Sequence, residues 1–495
     1  MFARSQPTID LAEEAKNEAI KQFQSMFCGS EGQPQSTEFV IEIALPSECE
    51  MPLAVEVDEG RVWYVSTKQG TLGSYDTATA QFEEHTIPSW PARSDPIGYS
   101  MSWAAKADDN GNVWFTDDRQ KALWKFEKSS KHFEIFSVPA NLPASLDFDA
   151  SGNVYFIGVQ SQSIFFGDIS KMRNGTSDGI AEISLPVEAF GNLRITTGSL
   201  VVDNVNKNVW VSLLAFQQKG QLFRYDIDSG KVDKIVDLPD DLRSPVGLTL
   251  DGSSNVWVTD HGTNIFFKYD LAMDRITKFV TSVASPVIYG GSTPPNAYTL
   301  PYWIEKSPDE NALWFNEHTG NKIARFDPES LVLTEYWIPS QNRHWALCPE
   351  NAATCGMANA LQFSAGPNGE IWFSEWTENK LGKVEGSRPL PFSVAAQDEV
   401  SVRRGDSVEI RIDIDSSLGF NGTMMAAGTF TPTGLLGDSV GIFSQDSISL
   451  DKGESKQVSY IFTPAESVET GDYTIMIGAA NEEVSILKAV NVHIV

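Results

Sequence analysis

The chain has 495 residues and a formal net charge of −29, from 37 Lys and Arg against 66 Asp and Glu. That length exceeds one ordinary core, so two domains or a large ring are required. The acidic field disfavours nucleic acid and anionic membrane surfaces as partners; it draws in cationic ligands or divalent metals, or simply keeps a large extracellular surface soluble.

In chain order, Ile9, Leu11, Ala12, Ala15, Ala19, Ile20 and Phe23 stand at helical spacing among charges and predict a short amphipathic helix over residues 8–27. A polar linker follows to residue 36. Met1 to Ser30 lacks the hydrophobic middle of a signal peptide, and no apolar run is long enough to span a bilayer.

From Thr37 onward one unit recurs. Its second strand reads Arg61-Val-Trp-Tyr, Asn112-Val-Trp-Phe-Thr-Asp117, Asn153-Val-Tyr-Phe, Asn208-Val-Trp-Val-Ser, Asn255-Val-Trp-Val-Thr-Asp260-His261, Ala312-Leu-Trp-Phe-Asn-Glu317-His318 and Glu370-Ile-Trp-Phe-Ser-Glu375-Trp376, seven copies in all. Most are preceded by an apolar strand with a Gly/Asn turn and followed by a third short strand ending near an Asp, as in Leu222-Phe-Arg-Tyr-Asp226. Four strands per copy, at a spacing of roughly 40–60 residues, predict an all-β fold, a seven-bladed β-propeller over residues 37–387. The last copy lacks an outer strand, whereas Thr37-Glu-Phe-Val-Ile-Glu-Ile-Ala-Leu-Pro46 reads as one. That early segment is expected to complete blade seven and leave no bare edge. Long connections precede blade six (Thr281 to Trp303) and blade seven (Ser340 to Met357), and long ordered loops are often functional.

Arg388-Pro-Leu-Pro391 marks a break. The strands after it, among them Ser407–Ile414, Gln457–Phe462, Asp472–Ile477 and Ala489–Val495, predict a β-sandwich over 388–495 that resembles the immunoglobulin-like accessory domains of surface proteins. It carries no nucleophile or metal motif, so spacing or attachment is its expected task.

Cys348 and Cys355 suit a small disulfide loop, and Cys28 with Cys49 a second pair. Disulfides imply an oxidising compartment, as do the acceptor triplets at Asn174 and Asn421. The expected location is extracellular or at the cell surface, with the export signal outside this chain; the alternative is an intracellular protein with free thiols.

The turns after the second strands converge on one face around the channel, which gathers Asp117, Asp260 with His261, Glu317 with His318, and Glu375 with Trp376. Carboxylate and imidazole from neighbouring blades can hold a divalent cation (Mg or Ca) or form an acid–base pair. The metal ligands read from this pattern are Glu317, Glu375 and Asp260, and the proton-transfer groups His318 and His261. Asp117, Trp376 and His344 are candidate binding residues. The structural alternative is that these acids only bond backbone in their turns and the imidazoles only cap neighbouring loops.

Trp314-Phe-Asn-Glu317 through Asn321-Lys-Ile323, and Trp372-Phe-Ser-Glu375 through Asn379-Lys-Leu381, with Thr334-Glu-Tyr-Trp-Ile-Pro339, resemble the blade repeat of the streptogramin B (virginiamycin B) lyase family over residues 37–386. The resemblance implies a propeller and a magnesium-dependent elimination that opens a cyclic depsipeptide ester, with His and Glu on one face. The family's catalytic His follows a Pro at the start of an inner strand. The matching places here, Ser244-Pro-Val-Gly-Leu-Thr249 and Met357-Ala-Asn-Ala-Leu361, have none. Two functions therefore stand side by side: a non-catalytic surface propeller whose mouth binds a small molecule or a surface protein or glycan, and a divalent-metal-dependent carbon–oxygen lyase.

Overall fold

The computed structural model describes residues 26, 33–90, 100–283, 298–308, 311–346, 348–350, 355–366, 369–429, 436 and 438–495, with 367–368 and the other intervening segments left out. The helix expected over 8–27, apart from residue 26, lies outside them, as does Cys28.

Seven four-stranded antiparallel units follow one another, each running from an inner strand to an outer one. The recurrent aromatic explains why they pack. Every second-strand Trp is buried, and several reach the third strand of the next blade: Trp63 on Phe126 (5.7 Å between centroids), Trp210 on Tyr269 (5.9 Å), Trp257 on Phe326 (5.5 Å). The same step from blade seven back to blade one, Trp372 on Tyr75 at 5.6 Å, closes the ring. Burying one such indole contributes roughly 4–6 kcal/mol by area.

Blade seven comprises Phe363–Ala365, Ile371–Glu375 and Lys380–Val384, and its outer strand is Val40–Ala44, paired antiparallel from Val40↔Val384 to Ala44↔Lys380. The seam thus lies inside a sheet, and no edge is left open there.

The C-terminal part is a β-sandwich. One sheet orders Phe392–Ala396, Val408–Ser416, Ser455–Thr463 and Val440–Phe443; the other is built on Val484–Ile494, Gly471–Ala480, Gly422–Thr429 and Ser447–Leu450. Tyr473 donates its hydroxyl to the Glu469 carbonyl at 2.8 Å, a corner bond typical of such sandwiches. The sandwich is not a loosely tethered spacer. Its strand Val484–Ile494 pairs antiparallel with Val332–Trp337, the outer strand of blade six, from Val332↔Lys488 to Tyr336↔Val484. One nine-stranded sheet therefore runs through both parts. Trp337 Nε1 to Ser485 Oγ (3.2 Å), Lys488 Nζ to the Ser330 carbonyl (2.8 Å) and Thr429 Oγ1 to the Thr281 carbonyl (2.8 Å) add side-chain ties.

Candidate functional site

Strand direction alternates within a blade, so the turn after each second strand and the connection leaving each outer strand lie at one end of the ring. There the inner strands enter through bulges, at Pro52/Val55, Pro143/Ser145, Thr197/Leu200, Pro245/Leu248 and Pro301/Ile304. Four non-glycine residues just before inner strands adopt left-handed φ: Met51 (57°), Leu142 (53°), Leu300 (49°) and Asn359 (52°). Such strained entries shape the rim of the channel.

On this rim His261 and His318 lie parallel, with centroids 5.4 Å apart and planes 13° apart. His261 also contacts the Tyr302 ring at 4.7 Å. Its Nδ1 is 3.3 Å from the Leu300 carbonyl, which makes Nδ1 the donor and leaves Nε2 as acceptor. His318 Nε2 is 3.0 Å from Asn359 Oδ1, so Nε2 carries its proton. Both rings are half-buried. Burial, and for His261 the neighbouring His318, push the pKa down to about 3 for His261; burial takes His318 to about 4. Both imidazoles are neutral at physiological pH.

The acids do not join them. Asp260 is buried and accepts from the backbone N–H groups of Arg243 (2.9 Å), Ser244 (3.1 Å) and Gly262 (3.0 Å), although burial pushes its pKa up to about 7. Glu317 points back into blade six beside Lys322 (3.5 Å), which pairs with Glu335 (3.0 Å) and meets Ser282. Burial and the Glu335 charge raise the Glu317 pKa well above the ordinary range, against Lys322. Blade seven repeats the cluster: Glu375 sits with Lys380, whose Nζ pairs with Glu42 (3.0 Å) and Ser340 Oγ (2.5 Å), and burial again raises Glu375. Among the described residues, no three His, Cys, Asp or Glu side chains stand close enough to share a metal ion. The expected metal ligands Asp260, Glu317 and Glu375 are therefore not brought together, and the residues present do not fit the divalent ion that the family resemblance implies.

The three expected binding residues also have other tasks. Asp117 is fully buried, accepting from Ser100, from Gln120 N (3.0 Å) and Nε2 (2.8 Å), and from Trp124 Nε1 (3.1 Å). Trp376 packs on Trp345 at 5.4 Å, beside Met51. His344 is exposed in the connection to blade seven, its backbone N–H capped by Asn342. In the same connection Cys348 and Cys355 form a disulfide; Cys49 is disulfide-bonded too. Asn174 and Asn421 are exposed, and Asn174 Oδ1 accepts from Ile135 N at 3.0 Å.

Sequence reasoning missed a ring of seven side chains inside the channel. Directly across from each recurrent second-strand aromatic stand Glu56, Lys106, Asp147, Val201, Thr249, Glu305 and Ser364, which together line a cavity of about 310 Å³. Lys106 pairs with Asp147 at 2.5 Å, and Glu56 accepts from Ala107 N (2.9 Å) and Ser364 Oγ (3.0 Å). Burial and Glu305 push the Glu56 pKa up to about 8. Trp303 extends from blade six to pack against the cluster of Ala104 and Leu146, and its indole N–H donates to Glu305 at 2.9 Å. The signal was available: charged residues two positions before the turn Asp or its equivalent in otherwise apolar inner strands, as in Glu56-Val57-Asp58 and Asp147-Phe148-Asp149.

No family model matches the chain, and no curated protein matches it. Among solved structures, virginiamycin B lyase from Staphylococcus aureus is similar at a TM-score of 0.51 and 19% identity, over 70% of this chain and 98% of that one. The RRP9 WD40 repeats give 0.47 and 10%, over 71% and 98%. At 19% identity the likeness to the lyase structure is one of fold, a β-propeller.

Proposed function

We propose that the protein is a non-catalytic binding propeller whose ligand sits on the rim where blades five, six and seven meet, against His261, His318 and Tyr302. The observation that carries this reading is the stacked pair of neutral imidazoles. A conjugate-acid pKa of about 3 or 4 makes each a poor proton acceptor for catalysis near neutral pH, where a base works best with a pKa close to the ambient value. It leaves His261 Nε2 suited to accept a hydrogen bond and the paired rings suited to stack on a planar group. The ligand class is a small molecule, or a protruding group of a surface protein or glycan, that is planar and carries N–H or O–H donors.

The disulfide between Cys348 and Cys355 supports an extracellular or cell-surface location, because such bonds persist in oxidising compartments. No helix among the described residues is long and apolar enough to cross a membrane.

The test is saturation-transfer NMR with a set of planar, donor-bearing fragments against the wild type and His261→Ala. Fragments that bind the wild type and are lost in the variant support the reading. Fragments that bind both equally, or none at all, contradict it.

A further inference from the structure

The lysine-centred clusters of blades six and seven have a counterpart in blade one that lacks the lysine. Strand register defines the equivalence. In blade six Phe315 lies across from Ala324, which lies across from Glu335; in blade seven the same row is Phe373, Gly382 and Glu42. Blade one aligns Tyr64, Gly73 and Glu84. In the neighbouring row, Glu317↔Lys322 and Glu375↔Lys380 become Ser66↔Thr71. The serine that meets each ammonium, Ser282 or Ser340, has its counterpart in Ser47, which follows Leu45-Pro46 as Ser340 follows Ile338-Pro339.

Two further changes make blade one more acidic at this place. Asn321 holds the segment entering blade seven by accepting from Ala358 N (2.8 Å), and Asn379 holds the segment entering blade one by accepting from Glu50 N (2.7 Å). A carboxylate thus replaces a methyl group. Tyr64 replaces a phenylalanine, and its ring lies over Gly73, where an added Cβ would come within 2.2 Å of the ring and 2.5 Å of the hydroxyl.

Blade one, like blades six and seven at Glu317 and Glu375, leaves buried oxygens without a hydrogen-bond partner, and its rows place no lysine among them. Glu50 accepts at Oε1 from Ser47 N (2.8 Å), whereas Glu50 Oε2, the Tyr64 hydroxyl and Thr71 Oγ1 are buried without a hydrogen-bond partner. Glu50 and Tyr64 are both 0% exposed. Glu84 adjoins Glu50 and is itself exposed, which gives the cluster an opening to solvent. The charge of Glu84 acts on Glu50 and, with burial, raises its pKa to about 7. Leaving such groups buried and unpaired is costly unless something supplies positive charge.

We propose that the cluster of Glu50, Thr71, Glu84 and the Tyr64 hydroxyl binds calcium, in the place that a lysine ammonium takes in blades six and seven. The donors are all hard oxygens, and calcium accepts irregular sets of carboxylate, hydroxyl and water oxygens where magnesium requires a regular octahedron. Two carboxylates give a weak site, of the order of 10⁻⁴–10⁻³ M, the range of extracellular calcium modules. The site lies on blade one rather than at His261 and His318 of blades five and six, and its test does not depend on what binds there.

The experiment compares the chelator-treated full chain with its Thr71→Lys variant, titrating calcium chloride at fixed ionic strength and reading the melting temperature. Calcium raises the wild-type midpoint by a few degrees. The variant carries its own ammonium in the site, melts without calcium at or above the calcium-free wild type, and does not respond. Should Thr71→Lys fail to fold, Glu50→Gln replaces it, with calcium affinity by isothermal titration expected to fall at least tenfold. Absence of a calcium response in the wild type, or an equal response in the variant, overturns the proposal.

Discussion

Blades six and seven hold their outer strands with the same groups drawn from different parts of the chain. In blade six, Lys322, Glu335 and Ser282 lie within one stretch of the ring; in blade seven, Lys380 and Ser340 reach Glu42, 338 residues before Lys380. Blade six is further backed by the sandwich strand that continues its sheet, whereas Val40–Ala44 of blade seven is the last strand of its sheet. One ionic cluster therefore reinforces a local hairpin in the first case and closes the whole ring in the second.

Lys380→Ala is expected to have the largest effect. Removing one member of a buried pair leaves an uncompensated charge at a cost of about 3–5 kcal/mol. Hydrogen exchange is expected to show Val40–Ala44 opening first. Lys322→Ala costs a similar amount in urea denaturation, yet leaves protection of Val40–Ala44 unchanged. Replacing the pair together, Lys380→Met with Glu42→Leu, recovers only part of the stability, because the buried Glu378, 3.9 Å from the Lys380 ammonium, is left without its cation.

Next in size is the disulfide beside blade seven. Cys348→Ser with Cys355→Ser is expected to cost about 2 kcal/mol, the loop-closure contribution of so short a ring. A loss of that size in the urea midpoint, without release of the sandwich, separates the connection from the seam.

The smaller effects lie in pH dependence, and the two regions carry opposite signs. Glu317 and Glu375 have raised folded pKa values, so the folded state binds more protons and their contribution is lost as pH rises above the ordinary glutamate value. His261 and His318 have lowered ones, about 3 and about 4, so the unfolded chain binds more protons below its ordinary histidine value and stability is lost as pH falls below about 6.5. Glu317→Gln is expected to flatten the alkaline limb of a stability–pH curve and His261→Ala the acid limb, each measured by urea midpoints.

The ring was legible because its signals are local. An aromatic, Trp in six of the seven second strands and Tyr155 in blade three, and an aromatic before the acid of the third strand are the two halves of the inter-blade contact seen at Trp257 and Phe326. The direction of the post-aromatic acids was not read, although the sign stood five residues on: Lys322 after Glu317 and Lys380 after Glu375, across the hairpin in register. An acid facing its own lysine turns into the blade, and the next residue, His318, is left for the rim. The merging of sandwich and blade six has no local signature, because the pairing of Thr334 with Ile486 joins two strands that each read as complete. The charged ring of the channel was hidden for another reason: Glu56 and Glu305 lie in strands read only for their apolar residues.

The division between acids that brace the blades and imidazoles that face the rim is tested most directly by NMR titration of the His261 and His318 ring nitrogens, with and without millimolar magnesium. Rings that stay neutral to about pH 4 and do not respond to magnesium are the predicted result. Titration near the ordinary histidine value, or magnesium-dependent shifts lost in Glu317→Gln, would contradict it.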